Sequence, residues 1–286
     1  MLAVAAAPAK LNLALELVGR RADGFHLLAA VSQTVSWSDL VGAELVPAPG
    51  PLGEVRVAVA GPFRGGIPEG PDNIVARAAA ALRRRGVGRE VVSVAIWKRI
   101  PSKSGLGGGS SDAAAVLRLA AGDQGVPGLA EAALECGADV PFAVRGGAAH
   151  LGGVGEVLTP LPPLSPTVIL VAVLAAVETA RAYAAVQSGD LTDGSRAAAV
   201  AAALRRGDPP TPELLGSALE AAALRVVPEL APRLERLRAA TPHLAWAMTG
   251  SGGAFFALVP AFQAGAALAA CRAALPGLPL RATVPA

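Results

Sequence analysis

The chain has 286 residues, of which 53% are hydrophobic and 16% charged, so it can bury a sizeable core and its length favours two domains. No apolar stretch of membrane-spanning length is free of polar residues, and the apolar start, Met1–Pro8, lacks the basic segment of a signal peptide. Two cysteines make neither a disulfide framework nor a metal site, and three scattered histidines do not suggest zinc. We therefore expect a cytoplasmic protein without a membrane partner.

The net charge of +3 suits either a nucleic acid or an anionic small molecule as partner. The dense basic cluster, Arg83–Arg85, contains no aromatic residues, and aromatics make up only 3% of the chain. We interpret this cluster as a solvated helix end and expect no nucleic-acid surface. Only three of the 25 basic residues are lysines (Lys10, Lys98 and Lys103), which indicates positions that need a compact ammonium group.

The first predicted element is a strand over residues 10–18, where leucines alternate with other side chains. The alternation places Lys10 and Asn12 together on the opposite, polar face. An Asp23-Gly24 turn signal follows this strand. Further strands are predicted over residues 31–37, 41–46, 55–60 and 91–97, and a helix over 73–85 that ends at Gly86.

The most informative stretch reads PSKSGLGGGSSDAAA over residues 101–115, and its first eleven residues are called the glycine loop here. Gly105 and Gly107–Gly109 let backbone N–H groups point into one concavity without interference from Cβ atoms. Ser110, Ser111 and Asp112 are predicted as N-cap side chains of a helix over 112–121, whose dipole favours an anion. The pattern therefore predicts a polyphosphate site.

Two better-known phosphate motifs do not fit this loop. The P-loop requires a lysine directly after its last glycine, whereas Ser110 follows Gly109. The dinucleotide motif requires a glycine three residues after Gly107, and that position is also Ser110. An ordinary glycine-rich connection between strand and helix remains the alternative interpretation.

The rest of the chain predicts helices and an antiparallel sheet. A helix over 129–136 ends at Gly137, and a glycine-rich link runs through Gly155. Four prolines over 160–166 mark the expected boundary between domains 1–158 and 159–286. The second half has strands over 168–173, 244–249, 254–259 and 280–284, with helices between 180 and 240 and over 263–274. This order predicts an α+β fold.

Four further motifs occur in order along the chain: Ala9-Lys10-Leu11-Asn12, Asp23-Gly24-Phe25-His26, Gly137-Ala138-Asp139-Val140-Pro141 and Thr249-Gly250-Ser251-Gly252. With the glycine loop, they make the sequence resemble the GHMP kinase superfamily over nearly its whole length. The resemblance implies an N-terminal domain like the second domain of ribosomal protein S5 and a C-terminal ferredoxin-like domain. It also implies transfer of the γ-phosphoryl group of ATP, with Mg²⁺, to a hydroxyl of a small-molecule substrate.

The longer loop G-L-G-G-G-S-S and the turn D-G-F-H narrow the resemblance to one branch of the superfamily. This branch implies a substrate with cytidine diphosphate linked to methylerythritol, phosphorylated at the 2-hydroxyl in the non-mevalonate route to isoprenoid precursors. The alternatives are a kinase for mevalonate, homoserine or a sugar, and a non-catalytic nucleotide-binding or RNA-binding protein. We expect a monomer or weak homodimer.

The resemblance assigns catalysis to two residues. Asp139 is expected to accept the proton of the substrate hydroxyl, and Lys10 to keep Asp139 ionised and to stabilise charge on the transferring phosphoryl group. Each has a simpler interpretation. Asp139, before Val-Pro, is a good N-cap residue, and Lys10 is a strand-end lysine in solvent.

The resemblance also assigns the nucleotide and substrate sites. The expected ATP-binding residues are Asn73, Lys98, Pro101, Ser102, Lys103, Ser104, Gly105, Leu106, Gly107, Gly108, Gly109, Ser110 and Ser111. Of these, Asn73 and Lys98 match positions near the adenosine. The expected substrate-binding residues are Asn12, Phe25, His26, Thr179, Tyr183, Thr249, Gly250 and Ser251. No separate protein metal site is predicted, and Mg²⁺ is expected to contact Ser110 or Ser111.

Several of these roles have alternatives. Lys103 either reaches a phosphate or points to solvent, and Asn12 either orients substrate hydroxyls or bonds within the sheet. Phe25 is expected to stack on the cytosine and His26 to bond its edge, while Thr179 and Tyr183 suit a core role equally. Thr249–Gly253 is either a ligand turn or a tight hairpin. Val173-Leu174 replaces a Pro-Gly common in the family.

Overall fold

A computed structural model describes residues 1–48, 53–122 and 126–286. The strands are β1 (Leu2–Arg20), β2 (His26–Val46), β3 (Arg56–Ala60), β4 (Glu90–Trp97), β5 (Ala148–Gly152), β6 (Val157–Leu161), β7 (Val168–Val173), β8 (Gly216–Ser217), β9 (Ala247–Met248), β10 (Ala254–Val259) and β11 (Leu280–Thr283). The α-helices are α1 (Ile74–Arg85), α2 (Gly108–Ala121), α3 (Leu129–Cys136), α4 (Val140–Arg145), α5 (Thr179–Ala184), α6 (Ser195–Arg206), α7 (Glu220–Val226), α8 (Leu230–Ala240) and α9 (Ala261–Ala274). None of the helices in these ranges has the length and apolarity needed to cross a membrane.

The described residues group into two units whose segments interleave along the chain. Unit 1 consists of Met1–Ala9, Trp37–Ser102 and Gly107–Gly146, and unit 2 of Lys10–Ser36, Lys103–Leu106 and Gly147–Ala286. The strands β1 and β2 therefore each contribute residues to both units. This grouping is by contacts, and the domain bounds 1–158 and 159–286 stay a prediction.

Unit 1 has a sheet in which β3 pairs with β4 in parallel and β4 pairs with β2 antiparallel. A bulge between Glu44 and Leu45 shifts the register opposite Val92, which is only half-buried. Val94 and Ile96 are buried in a core with apolar residues of α1, α2, α3 and α4. This core therefore holds both β4, which precedes the glycine loop, and α2, into which the loop continues.

The structure confirms α1 with its predicted ends. The side chain of Asn73 accepts a hydrogen bond from the Val75 amide, and Gly86 ends the helix in the left-handed conformation. The arginines at its end do not simply face solvent, because Arg83 pairs with Glu90, and Arg85 pairs with Glu135 at 2.7 Å. The cluster is still a helix end at the surface, with Arg84 58% exposed, but its arginines also pair with acidic side chains.

The start of α2 differs from the prediction. The helix begins at Gly108, and its N-cap is Gly107, which has φ of +69° and supplies no capping side chain. Ser110, Ser111 and Asp112 lie inside the helix, so their prediction as N-cap residues was wrong. The reason is that a left-handed glycine starts the helix several residues earlier than the serines do.

Unit 2 contains the predicted antiparallel sheet, with strand order β11-β7-β10-β9. Phe256 of β10 lies opposite Val171 of β7, and Ala282 of β11 lies opposite Leu170. The α9 helix contacts β7 and β11, and α8 packs on α9. The alternation of strands and helices in the second half of the sequence is thus confirmed.

Two predictions about connections were wrong. The glycine-rich link through Gly155 contains β5, which forms an antiparallel hairpin with β6 despite Pro160. The strands predicted over 31–37 and 41–46 are one strand, β2, because the polar pair Ser38-Asp39 does not interrupt it. The short strand β8 was not predicted; it pairs in parallel with Ala14 and Leu15 of β1.

Candidate active site

The second half of the glycine loop forms the N-terminus of α2 in unit 1. The Ser111 amide donates to the Gly107 carbonyl at 2.9 Å, which closes the first helical turn. The amides before Ser111 have no acceptor within the helix, so the amides of Gly108, Gly109 and Ser110 are the donors that a phosphate needs. A Cβ on Gly108 would lie 3.1 Å from Ile100 Cγ2, so glycine also permits close packing there.

Lys98 lies beneath this helix start and is only 2% exposed. Its Nζ donates to Asp112 Oδ2 at 2.6 Å and to a carboxylate oxygen of Asp39. The other Asp39 oxygen accepts the amides of Arg99 and, at 2.8 Å, Ile100. Lys98 was predicted to lie near adenosine, but its ammonium group is held by two buried carboxylates.

This arrangement shifts the pKa of Asp112. Burial raises the pKa of Asp112 to about 7, the neighbouring Asp39 adds to the rise, and Lys98 opposes it. Asp112 Oδ1 is buried and has no hydrogen-bond partner among the described residues. No role was predicted for Asp39 from the sequence, and Asp112 was predicted only as an N-cap side chain. The available signals were a lone carboxylate in the apolar segment of β2 and the scarcity of lysine.

Asn73, the other residue predicted near adenosine, is committed to local structure. Its Oδ1 accepts from the Val75 amide at 3.0 Å, and its Nδ2 donates to the Pro68 carbonyl at 2.7 Å. Both ends of the amide group therefore stabilise the start of α1. Contact between Asn73 and the nucleotide remains a prediction.

Asp139 directly precedes α4, but its side chain makes no capping hydrogen bond, and its backbone is already helical with φ of −81°. Asp139 thus occupies the N-cap position that the alternative interpretation gave it, but its side chain does not cap the helix. The first turn of α4 is formed by the backbone, since the Ala143 amide donates to the Asp139 carbonyl at 3.1 Å. The helix thus does not need the carboxylate of Asp139 as a cap.

Lys10 and Asn12 lie side by side on β1 in unit 2. Lys10 is 6% exposed, so it is not a solvent lysine, and its Nζ donates to Asn12 Oδ1 at 2.5 Å. Asn12 Nδ2 donates to Ser32 Oγ at 2.8 Å. Lys10, Asn12 and Ser32 thus form a buried row of hydrogen bonds on the predicted polar face. The bond from Asn12 to Ser32 is the bonding within the sheet that was the alternative role of Asn12.

The predicted glycine turn at 249–253 connects β9 to β10 as a tight hairpin. Its Thr249 hydroxyl accepts the Asn12 amide at 2.7 Å. The hydroxyls of Thr179 and Ser251 are 2.9 Å apart. Four of the predicted substrate residues, Asn12, Thr179, Thr249 and Ser251, are therefore connected in two contacts within unit 2.

The first half of the glycine loop, Lys103–Leu106, packs against this hairpin. Gly105 has φ of +80°, and the Ala254 amide donates to the Ser104 carbonyl at 3.0 Å. Lys103 has φ of +53°, and its Nζ donates to Glu178 Oε1 at 2.6 Å. Neither interpretation of Lys103 anticipated this ion pair.

Substitution of Gly105 by alanine is expected to destabilise the protein. The positive φ alone costs about 1–3 kcal/mol for a residue with a side chain, and the added Cβ would lie 2.6 Å from the Thr249 carbonyl oxygen. Thermal unfolding should show a lower Tm for Gly105→Ala. As control, Gly109→Ala meets only Ile74 Cγ2, at 3.8 Å, within a helix and should not lower Tm. Equal Tm values for both variants would contradict the packing described.

His26 and Tyr183 are brought together in unit 2, with ring centroids 5.5 Å apart and an interplanar angle of 36°. Burial, and then the charge of Arg20, lower the pKa of His26, so the imidazole is neutral near pH 7. A neutral imidazole has one donor and one acceptor nitrogen. The neighbouring Phe25 is 64% exposed. The pair therefore offers a ring surface and two kinds of hydrogen bond to a base.

The two serines predicted for Mg²⁺ differ in availability. Ser111 Oγ is buried and donates to the Pro8 carbonyl at 2.5 Å, whereas Ser110 is half-buried. The described residues contain no group of three His, Cys, Asp or Glu side chains suited to a metal ion. Because Mg²⁺ is commonly held by substrate phosphates, waters and few protein oxygens, Ser110 fits this role.

Comparison with known proteins gives matches along most of the chain. The family models described as GHMP kinases N terminal domain and GHMP kinases C terminal match residues 73–147 and 182–277. A 4-diphosphocytidyl-2-C-methyl-D-erythritol kinase of Paracoccus denitrificans is 38% identical over 95% of this chain and 91% of its own length. The enzyme of the same name from Anaeromyxobacter sp. is 42% identical over 93% of this chain and 84% of its own length.

Solved structures are also similar to this chain. A crystal structure of a 4-(cytidine 5'-diphospho)-2C-methyl-D-erythritol kinase has a TM-score of 0.75 and 35% identity, covering 99% of this chain and 100% of that one. A homoserine kinase from Cytophaga hutchinsonii has a TM-score of 0.70 but 18% identity, covering 99% of this chain and 93% of that one. The second likeness shows the fold alone.

Proposed function

Because the chain belongs to the GHMP kinase family, and within it to the 4-diphosphocytidyl-2-C-methyl-D-erythritol kinases, we propose that it phosphorylates the 2-hydroxyl of that substrate, using ATP and releasing ADP. The observation that carries the proposal is the agreement with kinases of this one substrate over nearly the whole chain. Kinases of homoserine, mevalonate and galactose share the fold at 12–18% identity, so those substrates are not favoured.

The glycine loop is proposed to hold the ATP phosphates. The supporting observation is the N-terminus of α2, where the amides of Gly108, Gly109 and Ser110 have no acceptor within the helix. A helix N-terminus with small residues lets the phosphate oxygens approach the backbone closely. Mg²⁺, when bound with ATP, would neutralise charge on the β- and γ-phosphates, with Ser110 as the protein ligand.

Asp139 and Lys10 are proposed as the catalytic residues. Asp139 would accept the proton of the substrate hydroxyl as its oxygen attacks the γ-phosphorus, while the bond from that phosphorus to the ADP oxygen breaks. Asp139 directly precedes α4, and its side chain makes no capping hydrogen bond to this helix. Lys10 would stabilise the charge on the transferring group, and Asn12 holds its Nζ on the buried face of β1.

The cytidine is proposed to bind at His26 and Tyr183. The tilted ring pair provides stacking surface, and the neutral imidazole of His26 provides both a donor and an acceptor for the edge of cytosine. Phe25 is exposed and available to stack on a ligand. Thr179, Thr249, Gly250 and Ser251 would contact the rest of the substrate. A cytoplasmic location is also proposed, supported by the free thiols of Cys136 and Cys271.

Replacing Tyr183 with alanine should raise KM for the cytidine substrate and leave kcat nearly unchanged. Loss of stacking on one base costs about 1–3 kcal/mol, or about 5- to 150-fold in affinity. Steady-state kinetics with saturating ATP measure the change. The matched control is His243→Ala, since His243 is exposed on a turn of unit 2 and should leave KM unaltered. A Tyr183→Ala enzyme with wild-type KM would remove the cytidine site from this position.

The substrate itself is tested by coupled ADP release with a panel of alcohols. 4-Diphosphocytidyl-2-C-methyl-D-erythritol should be phosphorylated with far higher kcat/KM than methylerythritol phosphate, mevalonate, homoserine or galactose. Phosphorus NMR of the product should show a new phosphomonoester at the 2-position. Equal rates with alcohols that lack cytidine would overturn the substrate assignment.

A further inference from the structure

We propose that Lys98 is a positioning residue, which holds the backbone at both ends of the glycine loop in the geometry that the ATP phosphates require. The inference rests on the assignment of the phosphates to the glycine loop under the proposed function. It replaces a direct contact between Lys98 and adenosine, and it concerns residues of unit 1.

The end of the glycine loop that enters α2 is tied to Lys98 through Asp112. The distance from Lys98 Nζ to Asp112 Oδ2 is 2.6 Å. A Cβ added to Gly108 would lie 3.4 Å from Lys98 Nζ, so the ammonium group lies against the first residue of α2. Moving this ammonium therefore moves the helix start that carries the phosphate-binding amides.

The backbone that leads into the glycine loop is tied to the same point through Asp39. This carboxylate binds Lys98 with one oxygen and the amides of Arg99 and Ile100 with the other. The Arg99 carbonyl accepts in turn from Trp37 Nε1 at 2.8 Å. One ammonium group thus joins the residues on both sides of the loop.

The same contacts leave Lys98 poorly suited to bind a nucleoside directly. Its side chain is 2% exposed, and two of its three N–H donors are used by buried carboxylates. Turning the ammonium toward a ligand would take the paired cation away from the buried carboxyl groups of Asp39 and Asp112. Breaking a buried ion pair in this way is strongly unfavourable.

The test compares binding of inorganic tripolyphosphate, adenosine and ATP to the wild-type chain and to Lys98→Met by calorimetry. Misplacement of the loop should lower the affinities for tripolyphosphate and for ATP by the same factor, about 10- to 100-fold. The affinity for adenosine should stay unchanged. Lower affinities for adenosine and ATP, with an unchanged affinity for tripolyphosphate, would overturn the proposal in favour of a nucleoside contact. Unchanged affinity for all three ligands would overturn it as well.

Arg118→Met is the matched control on the same helix. Arg118 lies in the last turn of α2, and its guanidinium donates to the Ala143 carbonyl at 2.6 Å and to the Ala6 carbonyl at 3.1 Å. This variant should lower Tm without changing tripolyphosphate affinity. Equal weakening by both variants would show a general loosening of α2, which overturns the proposal.

The Asp112→Asn variant keeps the inference falsifiable if Lys98→Met does not fold. It retains the size of the side chain and leaves Lys98 paired with Asp39, so a folded protein with the same pattern and a smaller loss is expected. Unchanged tripolyphosphate affinity in this variant would overturn the proposal. A wild-type chain in which tripolyphosphate does not compete with ATP would instead overturn the phosphate assignment itself, and this inference with it.

Discussion

Replacing Asp139 with asparagine is expected to lower kcat by about two to four decades, the range found when a general acid–base group is lost. Asparagine keeps the shape of the side chain but cannot take the proton of the substrate hydroxyl. The KM for ATP should stay near its wild-type value, because the proposed phosphate donors are backbone amides of the glycine loop. Coupled ADP release under saturating substrates measures the loss.

The structure also predicts that Asp139→Asn folds normally. The side chain of Asp139 does not cap α4, so the start of this helix should be unaffected. Asp208→Asn is the control, since Asp208 is exposed and pairs with Arg206 at 2.8 Å. Near wild-type turnover in Asp139→Asn would remove Asp139 from the mechanism. A comparable loss in Asp208→Asn would show that the change is not specific.

Replacing Lys10 with methionine should lower kcat by about two to three decades, the typical loss when one group that stabilises transition-state charge is removed. Methionine fills a similar volume on the buried face of β1 but carries no charge. Lys10→Arg should recover little, because a planar guanidinium does not replace a compact ammonium group. Single-turnover kinetics would separate this loss in the chemical step from changes in binding.

A structural explanation of the same loss can be separated with Ser32→Ala. Lys10 orients Asn12 through Oδ1, and Ser32 accepts from Asn12 Nδ2 at 2.8 Å. Ser32→Ala therefore disturbs Asn12 while leaving the ammonium group in place, and it should cost far less activity. If Ser32→Ala lost as much activity as Lys10→Met, the role of Lys10 would be limited to holding Asn12.

Much of the fold could be predicted because its strong local signals agree with tertiary packing. The bounds of α1 and α3 follow from Asn73, Gly86 and Gly137, which act at helix ends through their own side chain or backbone. The strands β7 and β10 are continuous apolar segments with clear limits. In these places a few neighbouring residues determine the structure.

The wrong predictions of secondary structure mostly concern segments whose conformation depends on contacts with residues distant in the sequence. Asp39 looks like an interruption between two strands, yet the amides of Arg99 and Ile100 satisfy it, and β2 continues. The glycines before and within β5 suggest a link, but pairing with β2 and β6 makes this segment a strand. The start of α2 was misplaced because Gly107 adopts a left-handed conformation that its neighbours do not specify.

In the candidate site, too, local sequence motifs could be recognised, whereas contacts between distant residues could not. Motif spacing predicted Lys10, Asn12 and the glycine turn at 249–253, and the structure connects Lys10 to Asn12 and Asn12 to Thr249. The contacts of Lys98 with Asp39 and Asp112 join residues that are 59 and 14 positions apart. No local pattern reveals such a pairing, and the expected position of Lys98 near adenosine followed from the family resemblance alone.

A crystal structure of the chain with a non-hydrolysable ATP analogue and 4-diphosphocytidyl-2-C-methyl-D-erythritol tests the central claim most directly. We expect the phosphates to accept hydrogen bonds from the amides of Gly108, Gly109 and Ser110. The Asp139 carboxylate should lie within hydrogen-bonding distance of the substrate 2-hydroxyl, with Lys10 Nζ next to the terminal phosphate. Phosphates bound away from these amides, or a 2-hydroxyl distant from Asp139, would contradict the account.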